Sequence, residues 1–473
     1  MASLTHTAHA AVEAAEERAA DAVGGKRRLK IVLLLAAILA LDTADKATVA
    51  AVAPGLKQVF HIGNTDIGVL VACVSFMGAA LSLPMGSLID RVSRKTVLVA
   101  TIALWTLAMV VSGTATSFIY LLLTRVALGG VTASASPAVA SLTGDFFPAR
   151  DRSRIYGFIL AGELVGTGIG FVICGEISAL IDWRWAFYFM AVPSAALAWV
   201  IWRYLPEPER GRQSDLGLGG RATEQAQRSM RRAGIEPRRE LVLDENPHRR
   251  SVWWIVRYLL RIPTYRLLVI ASALGYYFFA GVRGFAMIYL TQHYSVSRAT
   301  ISGLGIVIGI GAIAGLLAGG WLAQWMLDRG WTQARILVPG VSLFLAALFY
   351  APGIWTTSLA LGLTLLTVGT AALAAANPPI DAARLDIVPP QMWGRGEAGR
   401  MALRGFLEGG APILFGAVSE WFGGGQQGLE FTYLLMLIPV LAASALAIPA
   451  YMAYPRDVAT ASASVQRLKK KKD

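Results

Sequence analysis

The chain has 473 residues, of which 55% are hydrophobic and only 15% are charged, and its mean hydropathy is +0.54. Soluble domains carry about a quarter charged residues, so this composition excludes an ordinary soluble domain. The net charge of +13 raises nucleic acid as a partner, but the lysines and arginines crowd alternate loops between apolar blocks. This alternation follows the positive-inside rule, and we expect no nucleic-acid binding.

Twelve apolar blocks are predicted to cross roughly 30 Å of hydrocarbon as helices, and we number them as spans one to twelve. The first six lie near residues 29–53, 67–89, 96–114, 118–144, 155–180 and 185–205. The second six lie near residues 267–291, 300–327, 336–353, 358–387, 397–419 and 431–454. The expected architecture is therefore six spans, a linker and six spans.

The predicted organisation has five parts. They are a tail over 1–28, a first half over 29–205, a linker over 206–266, a second half over 267–455 and a basic tail over 456–473. The linker ends in a stretch, Val252 to Arg261, that is typical of an amphipathic helix at the membrane surface. The alternation of charge predicts that both termini lie in the cytoplasm. We expect a multi-pass protein of the cytoplasmic (inner) membrane. We also expect it to be a monomer.

The two halves repeat each other in their loops. The loop after span four reads D-x-x-P-x5-R from Asp145, and the loop after span ten reads the same from Asp386, 241 residues later. An Asp-Arg pair follows span two at Asp90 and span eight at Asp328, at an offset of 238. Because each half has an even number of spans, the copies share one orientation and indicate a parallel repeat.

The strongest motif is the run from Gly86 to Lys95, which reads GSLIDRVSRK and ends span two. It resembles the signature loop of the major facilitator superfamily, G-x-x-x-D-R-x-G-R-R/K, with Ser93 in place of the usual glycine. The runs RVALG from Arg125, DFFP from Asp145 and WRWAF from Trp183 also stand where that superfamily has them. The resemblance implies an all-α membrane protein of twelve helices, in two six-helix bundles related by a parallel pseudo-two-fold axis.

The same resemblance assigns a cytoplasmic gate to the loops. The expected gate residues are Gly86, Asp90, Arg91, Arg94, Lys95, Asp145, Arg154, Asp386 and Arg395. Gly86 would let a helix approach, Asp90 would pair with an arginine or cap a helix, and the basic residues would anchor to the leaflet. The alternative is an ordinary basic loop that only sets topology.

Small residues mark one face of span five. Gly162, Gly166 and Gly170 recur every four residues, which allows close helix packing. The run resembles the antiporter signature G-x-x-x-G-P-x-x-G-G, but Thr167 replaces the proline. A plain packing face explains it equally well.

Charged residues inside spans are costly, at about 2.5–3.5 kcal/mol each, and are expected to face a cavity or one another. The expected cavity residues are Asp42, Asp45, Lys46, Arg125, Glu163, Arg283, Asp381, Arg404 and Glu408. Spans three, nine and twelve hold no charge, as an outer ring would. Counting residues from the ends of the spans, at about 1.5 Å per residue, places Asp45, Lys46, Arg125 and Arg283 at one depth in the membrane. At this depth they could form one cluster, with Glu163 and Arg404 nearer the cytoplasm. Alternatively, Asp45 and Arg125 form a fixed structural pair.

Spans one to six are most similar to the spinster-like branch of the superfamily, whose members move lysophospholipids and sphingosine phosphate. The run from Asp45 to Ala50 resembles D-R-x-T-V-A, with Lys46 in place of arginine. Thr132 stands where the branch carries a glutamate linked to proton coupling. If coupling is retained, Asp42, Asp45 or Glu163 must titrate instead.

These features favour a secondary active transporter that works by alternating access and is coupled to protons. An organic anion such as a lysolipid would suit the aromatic run Tyr276–Phe279 beside Arg283. A multidrug/proton antiporter is the alternative, and a transporter-like sensor is a distant one. We expect no enzyme activity, no cofactor and no metal site, because no nucleophile–base pair or ligand spacing is present.

Overall fold

The computed structural model describes residues 17, 24–62, 64–208, 235–245, 247, 250–294, 298–423 and 425–470. In the first half, the spans are Lys26–Phe60, Asn64–Ile89, Arg94–Gly113, Phe118–Thr132 with Ala135–Phe146, Arg152–Leu180 and Trp183–Tyr204. A short helix, Val252–Arg261, follows in the linker. In the second half, the spans are Pro263–Tyr294, Arg298–Asp328, Ala334–Trp355, Leu359–Ala375 with Asn377–Ile387, Trp393–Trp421 and a broken helix over 425–470.

Eleven helices in the described part of the chain are long and apolar enough to cross a membrane. The first helix, Lys26–Phe60, is equally long but carries Asp42, Asp45 and Lys46 within its apolar stretch. With this helix the fold has the twelve spans predicted from the sequence. The described residues form no strand.

Three spans are interrupted, and prolines explain where. Span four breaks after Thr132, span ten after Ala375, and span twelve after Leu435 and Ala445. A proline stands four or five residues after the last helical residue before each break, at Pro137, Pro379, Pro439 and Pro449. A proline has no N–H to donate to the carbonyl four residues earlier, and its ring clashes with that carbonyl.

The end of span twelve differs from the expected boundary at residue 455. Its last helix, Ala447–Lys470, continues through most of the segment that was predicted as a tail. The Asp457 carboxylate accepts hydrogen bonds from Arg238 and from the Thr264 N–H, and Ser464 accepts one from the Leu243 N–H. The segment is too polar to be recognised as a span, but its polar side chains bind the linker backbone.

The two halves meet at what we call the linker face, the face that carries the loops after spans two, four, eight and ten. A Cβ on Gly86 would lie 2.4 Å from the Ala398 Cβ of span eleven. On the other side, a Cβ on Gly320 of span eight would lie 2.5 Å from the Ser153 carbonyl oxygen. Glycine is therefore required where the linker-face ends of the halves touch.

Candidate transport site

Charged side chains from both halves meet near the middle of the membrane-spanning region. We define the central site as Asp42 and Lys46 of span one, Glu163 of span five, Tyr276 of span seven, and Arg404 and Glu408 of span eleven. The Lys46 ammonium lies 2.7 Å from the Asp42 carboxylate, and the Arg404 guanidinium lies 3.1 Å from the Glu408 carboxylate. Each half therefore contributes one ion pair.

Both cations of the central site remain partly open. The side chain of Lys46 is 36% exposed and that of Arg404 is 12% exposed. The Arg404 guanidinium also lies over the Tyr276 ring, 3.4 Å from its centroid. The expected partner of this aromatic run was Arg283, whose side chain lies outside the described part of the structure. A cation on an aromatic face offers both a charge and an apolar surface to a ligand.

Glycines bring Glu163 to this place. A Cβ on Gly162, Gly166 or Gly170 would lie 2.1 to 2.6 Å from the carbonyl oxygens of Ala36, Ala40 and Ala44 in span one. The backbones of spans one and five are thus in contact over two turns. This contact places Glu163 beside Asp42 and Lys46. The charges of these two residues and of Arg404 act on the Glu163 carboxyl group.

Glu163 differs from the other acids of the central site. Its carboxylate has no hydrogen bond and no ion pair within the described residues, whereas Asp42 and Glu408 are each paired. It lines a mostly apolar cavity whose other polar residues include Ser272, Tyr276 and Asn377. This cavity has a volume of about 60 Å³. At roughly 30 Å³ per water in the liquid, it has room for about two waters.

Asp45 and Arg125 form a separate, closed pair. Two hydrogen bonds of 3.0 and 2.8 Å join the guanidinium to the carboxylate, and each side chain is 1% exposed. Arg125 also lies 5.7 Å from the centroid of Phe187. Lys46 contacts Asp42, one turn earlier on the same helix face, and not Asp45. Of the charges expected in one cluster, Asp45, Lys46 and Arg125 are therefore divided between two direct pairs, while the side chain of Arg283 lies outside the described part of the structure.

A second charge network lies at the start of span eleven. It is buried and consists of Asp381 and Arg384 of span ten with Glu397 and Arg400 of span eleven. Arg384 binds both acids, and Arg400 lies 2.6 Å from Glu397 and 3.7 Å from Asp381. The Ser136 hydroxyl of the first half donates to Glu397 at 2.7 Å.

This network includes one residue that was expected in the cavity, Asp381, which pairs with Arg384 and Arg400 instead. Arg384, Glu397 and Arg400 were not among the predicted site residues. The signal was available, since Asp381 and Arg384, like Glu397 and Arg400, are three residues apart and so lie on one helix face.

Asp90 links the halves at the linker face. Its carboxylate accepts hydrogen bonds from the Gly394 N–H at 2.9 Å and the Arg395 N–H at 3.0 Å, at the start of span eleven. It also lies 3.4 Å from the Arg395 guanidinium. A carboxylate at a helix N-terminus satisfies free N–H groups and the positive end of the helix dipole.

Three of the remaining gate residues belong to an ion pair that occurs once in each half. Arg94 binds Asp145 in the first half, and Arg335 binds Asp386 in the second, with both members 241 residues apart. The expectation that Arg94 anchors to the leaflet is wrong, because Arg94 is 1% exposed and also binds Glu207. Positive-inside counting cannot tell a buried arginine from a solvated one. Arg91 is exposed, Lys95 is half-buried, and Arg154 lies 3.7 Å from Asp151.

Two six-helix halves, a parallel repeat and charged side chains between them are the architecture of a membrane transporter. The chain belongs to the Major Facilitator Superfamily, whose family model matches residues 33–396. It is an integral membrane transporter with multiple spans, as predicted.

Comparisons with known proteins show which members of the superfamily the chain is similar to. The chain is 22% identical to the uncharacterized transporter YybO of Bacillus subtilis, over 75% of this chain and 78% of that one. It is 32% identical to protein spinster homolog 1 of Homo sapiens, over 40% of this chain but only 37% of that one. A crystal structure of a bacterial homolog of the human lysosomal transporter spinster, inward-facing and unoccupied, superposes with a TM-score of 0.57 at 20% identity, covering 91% and 98% of the two chains. The predicted likeness to the spinster-like branch is confirmed.

Proposed function

We propose that the protein is a proton-coupled transporter that moves a small or amphipathic organic anion, such as a lysolipid, through the central site. The observation that carries the proposal is Arg404, whose partly exposed guanidinium lies on the ring of Tyr276. Tyr276 in turn lines the cavity that Glu163 faces. In this proposal the linker face is cytoplasmic, the membrane is the cytoplasmic membrane and the transporter is a monomer.

The anion would bind to Lys46 and Arg404. Both cations are held by acids of their own helix one turn away, Asp42 and Glu408, so an incoming carboxylate or phosphate can compete for them. Arg125 is closed by two hydrogen bonds to Asp45, which supports a structural role in this conformation. The ring of Tyr276 would contact the apolar part of the ligand next to the charge.

The proton would be carried by Glu163. The branch-specific glutamate position in span four is Thr132, and Asp42 and Asp45 are each paired with a cation. A carboxylate without a hydrogen-bond donor, next to a cavity that admits water, can change its protonation without breaking an ion pair. The nearby charges of Arg404 and Lys46 link that proton to the anion site.

Alternating access would use the linker face as one gate. Asp90 and Arg395 join spans two and eleven there, while Gly86 and Gly320 allow backbone contact. Opening the central site to this face requires those contacts to separate. Asp145 and Arg154 would hold the first half as a unit, since both pair within it. Asp386 pairs with Arg335 of its own half but also lies 3.5 Å from Arg152 of the first half, so this contact would separate with the gate.

Flux into proteoliposomes tests the proposal. The probes are lysophosphatidylglycerol, gluconate as a small organic acid, and tetraphenylphosphonium as a lipophilic cation, each with and without a proton gradient. We expect gradient-driven flux of an anionic probe that Arg404→Gln abolishes. Arg203→Gln is the matched control, because Arg203 also lies over a tyrosine ring, 5.5 Å from the centroid of Tyr204, but far along the chain from the central site.

Other outcomes separate the alternatives. Flux of tetraphenylphosphonium that survives Arg404→Gln but requires Glu163 would replace the anion transporter with a multidrug/proton antiporter. Binding of a probe in a thermal-shift assay without flux of any solute would support a membrane sensor.

A further inference from the structure

The linker helix Val252–Arg261 leaves one of its faces without a partner. Its inner face is docked, since Ile255, Tyr258 and Leu259 are buried and the Tyr258 hydroxyl donates to the Leu241 carbonyl at 2.9 Å. Its outer face carries Trp253, which is 79% exposed, and Leu260, which is 48% exposed. A tryptophan so exposed on an ordered helix indicates a surface that something else covers.

The same outer face is basic. Arg257 and Arg261 are exposed, and neither makes a hydrogen bond or an ion pair within the described residues. They are four residues apart, so they project from one side of the helix with about 5–6 Å between their Cβ atoms. This spacing lets two guanidinium groups bind one phosphate from both sides. Arg250, by contrast, is already paired with Glu245 at 2.7 Å.

Chain continuity fixes the depth of this surface. Arg261 is followed by Ile262, and Pro263 already begins span seven. The helix therefore lies where the hydrocarbon ends, at the level of the lipid headgroups. Tryptophan and arginine are the residues that occupy this level, the indole toward the acyl boundary and the guanidinium toward phosphate.

We propose that the outer face of the linker helix, defined by Trp253, Arg257, Leu260 and Arg261, binds an anionic glycerophospholipid of the leaflet at the linker face. The phosphate lies between Arg257 and Arg261, and the acyl chains lie along Trp253 and Leu260. This surface is separate from the central site, so the proposal does not depend on what the protein transports. Because the helix docks on the protein by its other face, the lipid would fix the linker at the end of span seven.

Native mass spectrometry of the full-length protein in detergent tests this. The probe is dioctanoyl phosphatidylglycerol, compared with dioctanoyl phosphatidylcholine and with glycerophosphoglycerol, the headgroup without acyl chains. The double variant Arg257→Gln/Arg261→Gln is expected to bind phosphatidylglycerol about thirty-fold more weakly, from the contribution of a basic residue near an anionic lipid surface. Trp253→Ala should also weaken binding, and phosphatidylcholine should bind poorly.

Arg329→Gln provides the matched control. Arg329 is also exposed on the linker face and lies 3.7 Å from the centroid of the Trp325 ring, but it is not on the linker helix. Binding should be unchanged in this variant. An equal loss in Arg329→Gln would mean general leaflet electrostatics, and equal binding of the headgroup alone would mean a free-anion site. Either result, or wild-type binding in the double variant, overturns the proposal.

Discussion

The contact between spans one and five makes a sharp prediction at Gly166. A Cβ at this position would lie 2.1 Å from the Ala40 carbonyl oxygen and 2.5 Å from the Ala40 Cα. Ordinary contact begins near 3.4 Å, so in Gly166→Ala the two backbones would have to separate by about 1.3 Å. The neighbouring contacts at Gly162 and Gly170 are also to backbone atoms, so no flexible side chain can absorb the shift.

Overpacking of this kind costs about 1–3 kcal/mol. Gly168 is the matched control, because it lies on the same helix and a Cβ there would meet nothing within 4 Å. Gly168→Ala should have little effect on stability, or raise it slightly through helix propensity. Since the separation also moves Glu163 away from Asp42 and Lys46, we expect Gly166→Ala to reduce transport more than binding of a probe.

Thermal unfolding of the purified variants in detergent, followed by circular dichroism, measures the effect. Gly166→Ala should lower the midpoint, and Gly168→Ala should leave it near that of the wild type. Equal midpoints for the two variants would refute the backbone contact on which the position of Glu163 depends.

Two further predictions concern charges outside the central site. Arg125→Ala leaves Asp45 buried without its partner and should destabilise the protein by about 3–5 kcal/mol. The double variant Arg125→Ala/Asp45→Ala should recover much of this stability in the same unfolding assay. No recovery would contradict a direct pair. In the linker, burial raises the pKa of Glu207, but hydrogen bonds from the Lys95 N–H and Arg94, with the charge of Arg94, outweigh it and lower the pKa below the usual value. Glu207 therefore stabilises the gate loop above its ordinary pKa and loses this effect as pH falls through the lowered value. Glu207→Gln should cost about 1 kcal/mol at pH 7, discounted for a side chain that is partly exposed, and progressively less as the pH falls through the lowered pKa. An effect independent of pH would contradict the ionised contact.

Much of the fold could be predicted because membrane spans leave a strong signal. The apolar blocks predicted all twelve spans. The repeat of Asp145 in Asp386 predicted the duplication that the pairs Arg94–Asp145 and Arg335–Asp386 display. The continuation of span twelve to Lys470 could not be predicted in this way, since its polar residues are satisfied by the linker and not by lipid.

The site was harder to predict because the sequence indicates how deep a charged residue lies in the membrane but not which neighbouring helix its side chain faces. Asp381 and Glu163 both lie in spans, yet Asp381 pairs within a buried network and Glu163 faces a cavity. The separation follows from side-chain directions set by helix packing, which depth counting ignores. Tyr276 was recognised, but its cation is Arg404 of another span, a contact that no sequence spacing reveals.

Glu163 is the residue proposed to couple protons to movement of an anion through the central site. The most direct measurement is the initial rate of uptake of a transported anionic probe in proteoliposomes, with and without a proton gradient, for wild type, Glu163→Gln and Glu176→Gln. Glu176 is an exposed acid on the same helix and serves as the control. We predict that Glu163→Gln retains exchange of the probe across the membrane but loses stimulation by the gradient, while Glu176→Gln behaves as wild type. Full gradient stimulation in Glu163→Gln would contradict the account.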